Sequence, residues 1–419
     1  MRHFPVIPSV LLALCTQAQS PPGQPSVGYG RANGIYASVD VVDAHEGATG
    51  FDLYIPDAPH ADSLPVVVFL HGYGAWNPAG YGAWIDHLVK RGNIVVFPRY
   101  QVSELSNALN YTSDAATGIG RALDTLAMHP EWTQMRAGQF LIVGHSFGGV
   151  ITANLAHEHT AYGLPTPSAI MACAPGYGLA PGAALPTYAG MDPQIAILSI
   201  FEAEDTNVDS LFALRLYNEA TDVPVSRRNL VVHHPDEHGT PAITAVHAEA
   251  GGVDLDYDNG ETGLIIAGSL LTVANTTDYF CYWKLFDALE DCTLNGAGCT
   301  TAFGDTPEQK DMGPWSDGVP VVPLEIRPSA EGTGIRDATP GPSGMQADIT
   351  GGRFTVSFGS GMHLPGMLTV TDIVGRTLLQ RRIASSPVQL TLPTAAVGIY
   401  ALRFSDGAGH VHALRVAVH

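Results

Sequence analysis

Charge is scarce in this 419-residue sequence, and positive charge scarcest: charged residues make up 14%, with 20 Lys and Arg against 40 Asp and Glu, net −20. So few basic residues exclude the concentrated positive surface that a phosphate backbone requires. They also argue against docking on anionic lipid. Cysteine is rare as well, five in all, and none stands in a Cys-x-x-Cys or Cys/His spacing, so a cysteine zinc site is not expected. The apolar run at the N-terminus, Val6 to Leu14, is too short to span a bilayer. What the chain does have is 45% hydrophobic residues, 46 Gly and 30 Pro, the mark of a globular protein with many turns. Its length suggests two domains, or one large domain with an appendage.

The first residues read as an export signal. Met1-Arg2-His3 gives a basic start, the Val6 to Leu14 run an apolar core, and Thr16-Gln17-Ala18 small residues where a signal peptidase cuts, so residues 1–18 are expected to be removed. Leu14 before Cys15 argues against a lipoprotein anchor. The mature chain then holds Cys173, Cys281, Cys292 and Cys299 in an oxidising compartment. Cys292 and Cys299 flank a flexible loop containing two glycines and are the favoured disulfide; Cys173 and Cys281 either pair or stay buried and free.

From about Val66 short β-rich runs alternate with helical segments. Val66–Leu70, Ile94–Phe97, Phe140–Val143, Ala169–Ala172, Ile195–Ile200 and Leu230–Val232 read as buried strands. Tyr81–Arg91, Thr112–Met128, Phe147–His157 and Tyr279–Glu290 read as helices. Continuous apolar strands between helices predict an α/β fold with a mostly parallel sheet covered on both faces, over residues 26–326. Residues 327–346 have a linker's composition. Residues 347–419 carry short β-type runs between turns, which predict a small antiparallel β-sandwich.

The chemistry concentrates at Gly144-His145-Ser146-Phe147-Gly148, between a predicted strand and a predicted helix. Small flanking residues permit a tight strand-to-helix turn that lifts the Ser146 hydroxyl clear of the sheet. A serine needs a base, itself oriented by a carboxylate, and on such an elbow acid then base follow in the chain. Glu202, Glu204, Asp205 and Asp209 compete for the acid; Asp205 is best placed, with a helix cap as its alternative role and Glu204 in reserve. His233, His234, His238 and His247 compete for the base. His238, in a loop before Gly239, is expected to be catalytic, while His233 and His234 are expected to be structural and His247 to lie on a following helix, either packed or supporting the catalytic residues from behind. The N–H groups of Phe147 and of Tyr73, in His71-Gly72-Tyr73-Gly74, are the expected oxyanion donors. Tyr73, Phe147 and Trp76 are expected to wall the substrate site, unless Trp76 packs under its loop. Asp254, Asp256, Asp258 and Gly260 lack the spacing of a calcium loop and read as a solvated acidic turn. No metal or cofactor is called for.

These motifs, in this order, resemble the α/β-hydrolase superfamily, nearest its cutinase-like, chlorophyllase-like and dienelactone-hydrolase-like serine esterases, over roughly Val39 to Leu324. The resemblance implies a Ser146–Asp205–His238 triad that cleaves carboxylic esters through an acyl-enzyme. The aromatic residues near the expected cleft, Tyr81 among them, suit apolar, aromatic or polymeric esters. A binding protein on a hydrolase scaffold, or a hydrolase of peptide or carbon–carbon bonds, are the alternatives. The tail, with Gly398–Phe404, Val411–Val416 and the turn Asp372–Arg376, is similar to C-terminal sorting domains of the type IX secretion system of Bacteroidetes. That similarity implies export by that machinery to the cell surface or medium, without stable membrane insertion; a β-sandwich that binds substrate or carbohydrate is the alternative.

Overall fold

The protein is described here from a computed structural model, which covers residues 19–327 apart from 33, 179, 209 and 262–271, and the strands and some turns of residues 345–418. The expected signal peptide, residues 328–344 of the expected linker, the candidate Asp209 and most of the turn Asp372–Arg376 lie outside the described residues. The chain divides into two compact units after Ile326.

In the first unit nine strands, among the described residues, form one sheet: β1 (Val39–Ala44), β2 (Phe51–Pro56), β3 (Ser63–Leu70), β4 (Ile94–Pro98), β5 (Gln134–His145), β6 (Ala169–Cys173), β7 (Ala196–Glu202), β8 (Arg228–His233) and β9 (Glu325–Arg327). They lie in the order β1-β2-β4-β3-β5-β6-β7-β8-β9. Strands β3 to β8 pair in parallel, and β1 and β2 add an antiparallel edge. The parallel strands are buried on both faces, which is why they read as unbroken apolar runs.

Alternate side chains of each strand feed two cores. Val67 and Phe69 of β3 join Trp84, Ile85 and Leu88 of α1 (Gly82–Arg91) with Phe286 and Leu289 of the last long helix of this unit. Val66, Val68 and Leu70 face the opposite way, toward Ile119 of α2 (Tyr111–Met128), Val150 and Ile151 of α3 (Phe147–Glu158) and Leu216 of α4 (Leu211–Glu219). Helices thus cover both faces, and loops at the carboxyl ends of the parallel strands are left to build a site. The expected helix Tyr279–Glu290 is a wide turn over Asp278–Tyr282 running into α5 (Trp283–Asn295). Cys292, near the end of α5, is joined to Cys299 as a disulfide, and Cys173 and Cys281 are buried free thiols.

The second unit holds two antiparallel sheets. One is β10 (Met345–Thr350), β11 (Arg353–Phe358) and β14 (Val388–Thr391); the other is β12 (Gly366–Asp372), β13 (Thr377–Ile383), β15 (Gly398–Asp406) and β16 (Val411–Val418). Val356 and Leu390 of the first sheet share a core with Leu368, Val370, Leu402 and Phe404 of the second, as the short β-type runs between turns predict for a sandwich.

Candidate active site

The turn between β5 and α3 is a sharp elbow with Ser146 at its apex, at φ 55° and ψ −121°. A non-glycine residue at positive φ is strained and persists only where its surroundings hold it. Here the Ser146 N–H donates to the Cys173 carbonyl at 2.9 Å and its own carbonyl accepts from the N–H of Gly149 at 2.9 Å. The flanking glycines are required by space. A Cβ on Gly144 would lie 2.4 Å from the Gly148 oxygen, and one on Gly148 would lie 2.2 Å from the Leu70 oxygen.

The imidazole that meets Ser146 belongs to His247. Its Nε2 accepts from the Ser146 hydroxyl at 2.8 Å, and its Nδ1–H donates to Asp205 Oδ2 at 2.7 Å. The other Asp205 oxygen accepts from the N–H groups of Asn207 and Val208 at 2.8 and 3.0 Å, which locks the carboxylate in a turn of its own well before α4. Ser146 and Asp205 are thus brought together as expected.

His238 is not with them. The chain after β8 makes an excursion closed by pairing of Asp236 with Ile243, and Asp236 accepts from the Trp315 indole at 3.0 Å. His238 stands at the tip of this excursion, with Nε2 2.9 Å from Asp317. Gly239 serves close packing there, since a Cβ would lie 2.2 Å from the Gln19 oxygen and 2.5 Å from the Trp315 ring. The chain returns to Ser146 at the short helical turn His247–Ala250, so the histidine beside the serine is His247 and not the expected His238. The other candidates are occupied elsewhere: His233 pairs with buried Glu202, His234 with Glu325 at 2.8 Å, and Glu204 is exposed.

Behind the elbow runs a hydrogen-bond chain that the sequence did not suggest. Burial, with His247 a lesser cause, lowers His145 to about 3, so its ring is neutral and carries one proton. The His247 carbonyl, 2.7 Å from His145 Nε2, can only accept, which places the proton there. His145 Nδ1 therefore accepts from the Tyr81 hydroxyl at 2.8 Å, and Tyr81 in turn accepts from the Gly72 N–H at 2.9 Å. One chain of bonds thus ties the loop after β3 to the backbone of His247. Earlier in that loop, His71 stacks on Tyr100 with ring centroids 4.0 Å apart, and burial lowers it to about 4.

Beside Ser146 opens a cavity of about 450 Å³ lined by Tyr73, Phe147, Tyr177, Ala180 and Val208 among others. Tyr73 is half exposed, its hydroxyl bonded to the Glu104 carbonyl, and Phe147 packs edge-on against Tyr111. Trp76 does not line this cavity. It is 3% exposed and packed beneath its loop, which corrects its expected place in the substrate wall. Tyr81 is likewise buried, as a support and not a wall. Phe147 opens α3, where helix N–H groups lack intrahelical acceptors, and the Tyr73 N–H has no acceptor among the described residues.

A mostly parallel sheet with helices on both faces and a serine on the elbow after its fifth strand is the α/β-hydrolase fold. Residues 30–195 match the Chlorophyllase family, which supports a hydrolase of the esterase type. The matched stretch contains the Tyr73 loop and the Ser146 elbow but stops short of Asp205 and His247. No curated protein gives a match to the chain.

Proposed function

We propose that the protein is a serine carboxylic-ester hydrolase in which His247 is the base, Ser146 the nucleophile and Asp205 the group that orients the imidazole. The observation that carries this reading is the pair of hydrogen bonds through the two nitrogens of His247, 2.8 Å to Ser146 and 2.7 Å to Asp205. Nε2 takes the Ser146 proton as Oγ attacks the ester carbonyl, and the imidazolium returns it to the departing alcohol. Water, deprotonated by the same nitrogen, then releases the acid from the acyl-enzyme. The N–H groups of Phe147 and Tyr73 are the donors for the oxyanion, each worth about 3–4 kcal/mol in related chemistry. The largely apolar lining from Tyr73, Phe147, Tyr177 and Val208 favours an apolar or aromatic acyl group.

Ser146→Ala is expected to abolish turnover of a short p-nitrophenyl ester and labelling by a fluorophosphonate, with the circular dichroism spectrum unchanged. Retained turnover would sink the proposal. We also place the enzyme outside the cell, on the strength of the leader-like first residues and the Cys292–Cys299 disulfide, with the C-terminal unit as a sorting domain.

A further inference from the structure

Away from the serine, at the antiparallel edge of the sheet, Asp43 of β1 lies directly across from Asp52 of β2. Like charges directly opposite on paired strands destabilise them unless a cation lies between. Asp52 is 2% exposed; its Oδ2 accepts from Asn259 at 3.0 Å, while its Oδ1 is buried with no hydrogen-bond partner. That orphaned oxygen is 3.8 Å from Nδ1 of His45. Nδ1 is itself buried and is paired with the Asp43 carboxylate. The other nitrogen of His45 lies 3.3 Å from Glu261, whose second oxygen accepts from Arg99 at 2.7 Å.

We propose that Asp43, His45 and Asp52 bind a divalent transition-metal ion of the zinc class. One donor atom from each lies within 4.8 Å of the others, the spread that ligands adopt around one ion, and no other such trio converges among the described residues. Glu261 holds the far nitrogen of the ring, the carboxylate–histidine arrangement that turns an imidazole lone pair toward a metal. Three carboxylates surround His45, and the Arg99 guanidinium pairs with one of them, Glu261, so a divalent charge offsets the excess. One imidazole nitrogen with two carboxylate oxygens suits zinc better than calcium, which takes about six to eight oxygens. The ion would brace the active-site loop, because His71 Nε2 lies 2.7 Å from the Arg99 carbonyl and the Arg99 guanidinium donates to the His45 carbonyl at 2.9 Å.

The test uses the full chain, stripped with a chelator and titrated with zinc chloride by calorimetry, with melting followed in parallel. Wild type is expected to take up one equivalent more than Asp43→Asn and to melt several degrees higher with zinc, a rise the variant lacks. Asp43 has a side chain 55% exposed, so its replacement spares the fold. X-ray absorption of the zinc form should show one imidazole among oxygen ligands. Absence of zinc uptake, equal uptake by Asp43→Asn, or calcium bound there in place of zinc would overturn the assignment.

Discussion

Asp205 shows how two roles can fall on one side chain: Oδ1 closes a turn on the N–H groups of Asn207 and Val208, while Oδ2 holds His247. Asp205 does not cap α4, whose first flanking residue is Ser210, and its turn leaves the second oxygen free to hold the imidazole. His247 and His238 give the matching contrast, since both imidazoles meet an aspartate but only one also meets a serine. His247→Ala is expected to lower kcat on a p-nitrophenyl ester on the order of 10⁴- to 10⁶-fold, as loss of a triad base does. His238→Ala removes a half-exposed contact with Asp317 and a ring contact with Trp315, and is expected to leave kcat/KM unchanged with only a small drop in the urea midpoint. Loss of activity in His238→Ala with none in His247→Ala would reverse the assignment.

Between elements, the Tyr81 hydroxyl links the β3 loop, the end of β5 and the turn bearing His247. Tyr81→Phe keeps the ring in its packing against Phe69 and removes the bridge, leaving the Gly72 N–H and His145 Nδ1 buried without partners. Each such group costs about 1–3 kcal/mol of stability; with the His247 turn less firmly held, kcat is expected to fall roughly 10-fold or more, with fluorophosphonate labelling of Ser146 slowed in step. Unchanged kcat would show that the bridge does not position the site. The buried strands β3 to β8 were legible because both faces are covered and each holds a buried apolar run, and the elbow because its glycines are sterically forced. The edge strands β1 and β2 were not, nor β10 and β13: β1 mixes Asp40 and Asp43 into its run, β13 carries Arg381 and Arg382, and pairing with neighbours fixes them. His247 was missed for a related reason. The excursion that carries His238 away is held by Trp315 and Val322, residues far along the chain whose contact with Asp236 leaves no local signature.

At the scale of the whole molecule, the two units each bury their own apolar side chains: the first around β3 and its covering helices, the second between its two antiparallel sheets. Residues of the proposed triad, its oxyanion donors and the Tyr81–His145 chain all belong to the first unit. Stability that arises from separate cores is lost in separate steps, and unfolding enthalpy scales with the residues involved, about 0.7 kcal/mol for each near 60 °C. Calorimetry of the full chain is therefore expected to show two transitions, the smaller belonging to the unit after Ile326. A chain ending at Arg327 should lose that transition, keep the larger one within a few degrees, and retain the kcat/KM of the full chain on a soluble ester. A single transition in the full chain, together with an inactive or unfolded truncated chain, would mean that the second unit completes the first.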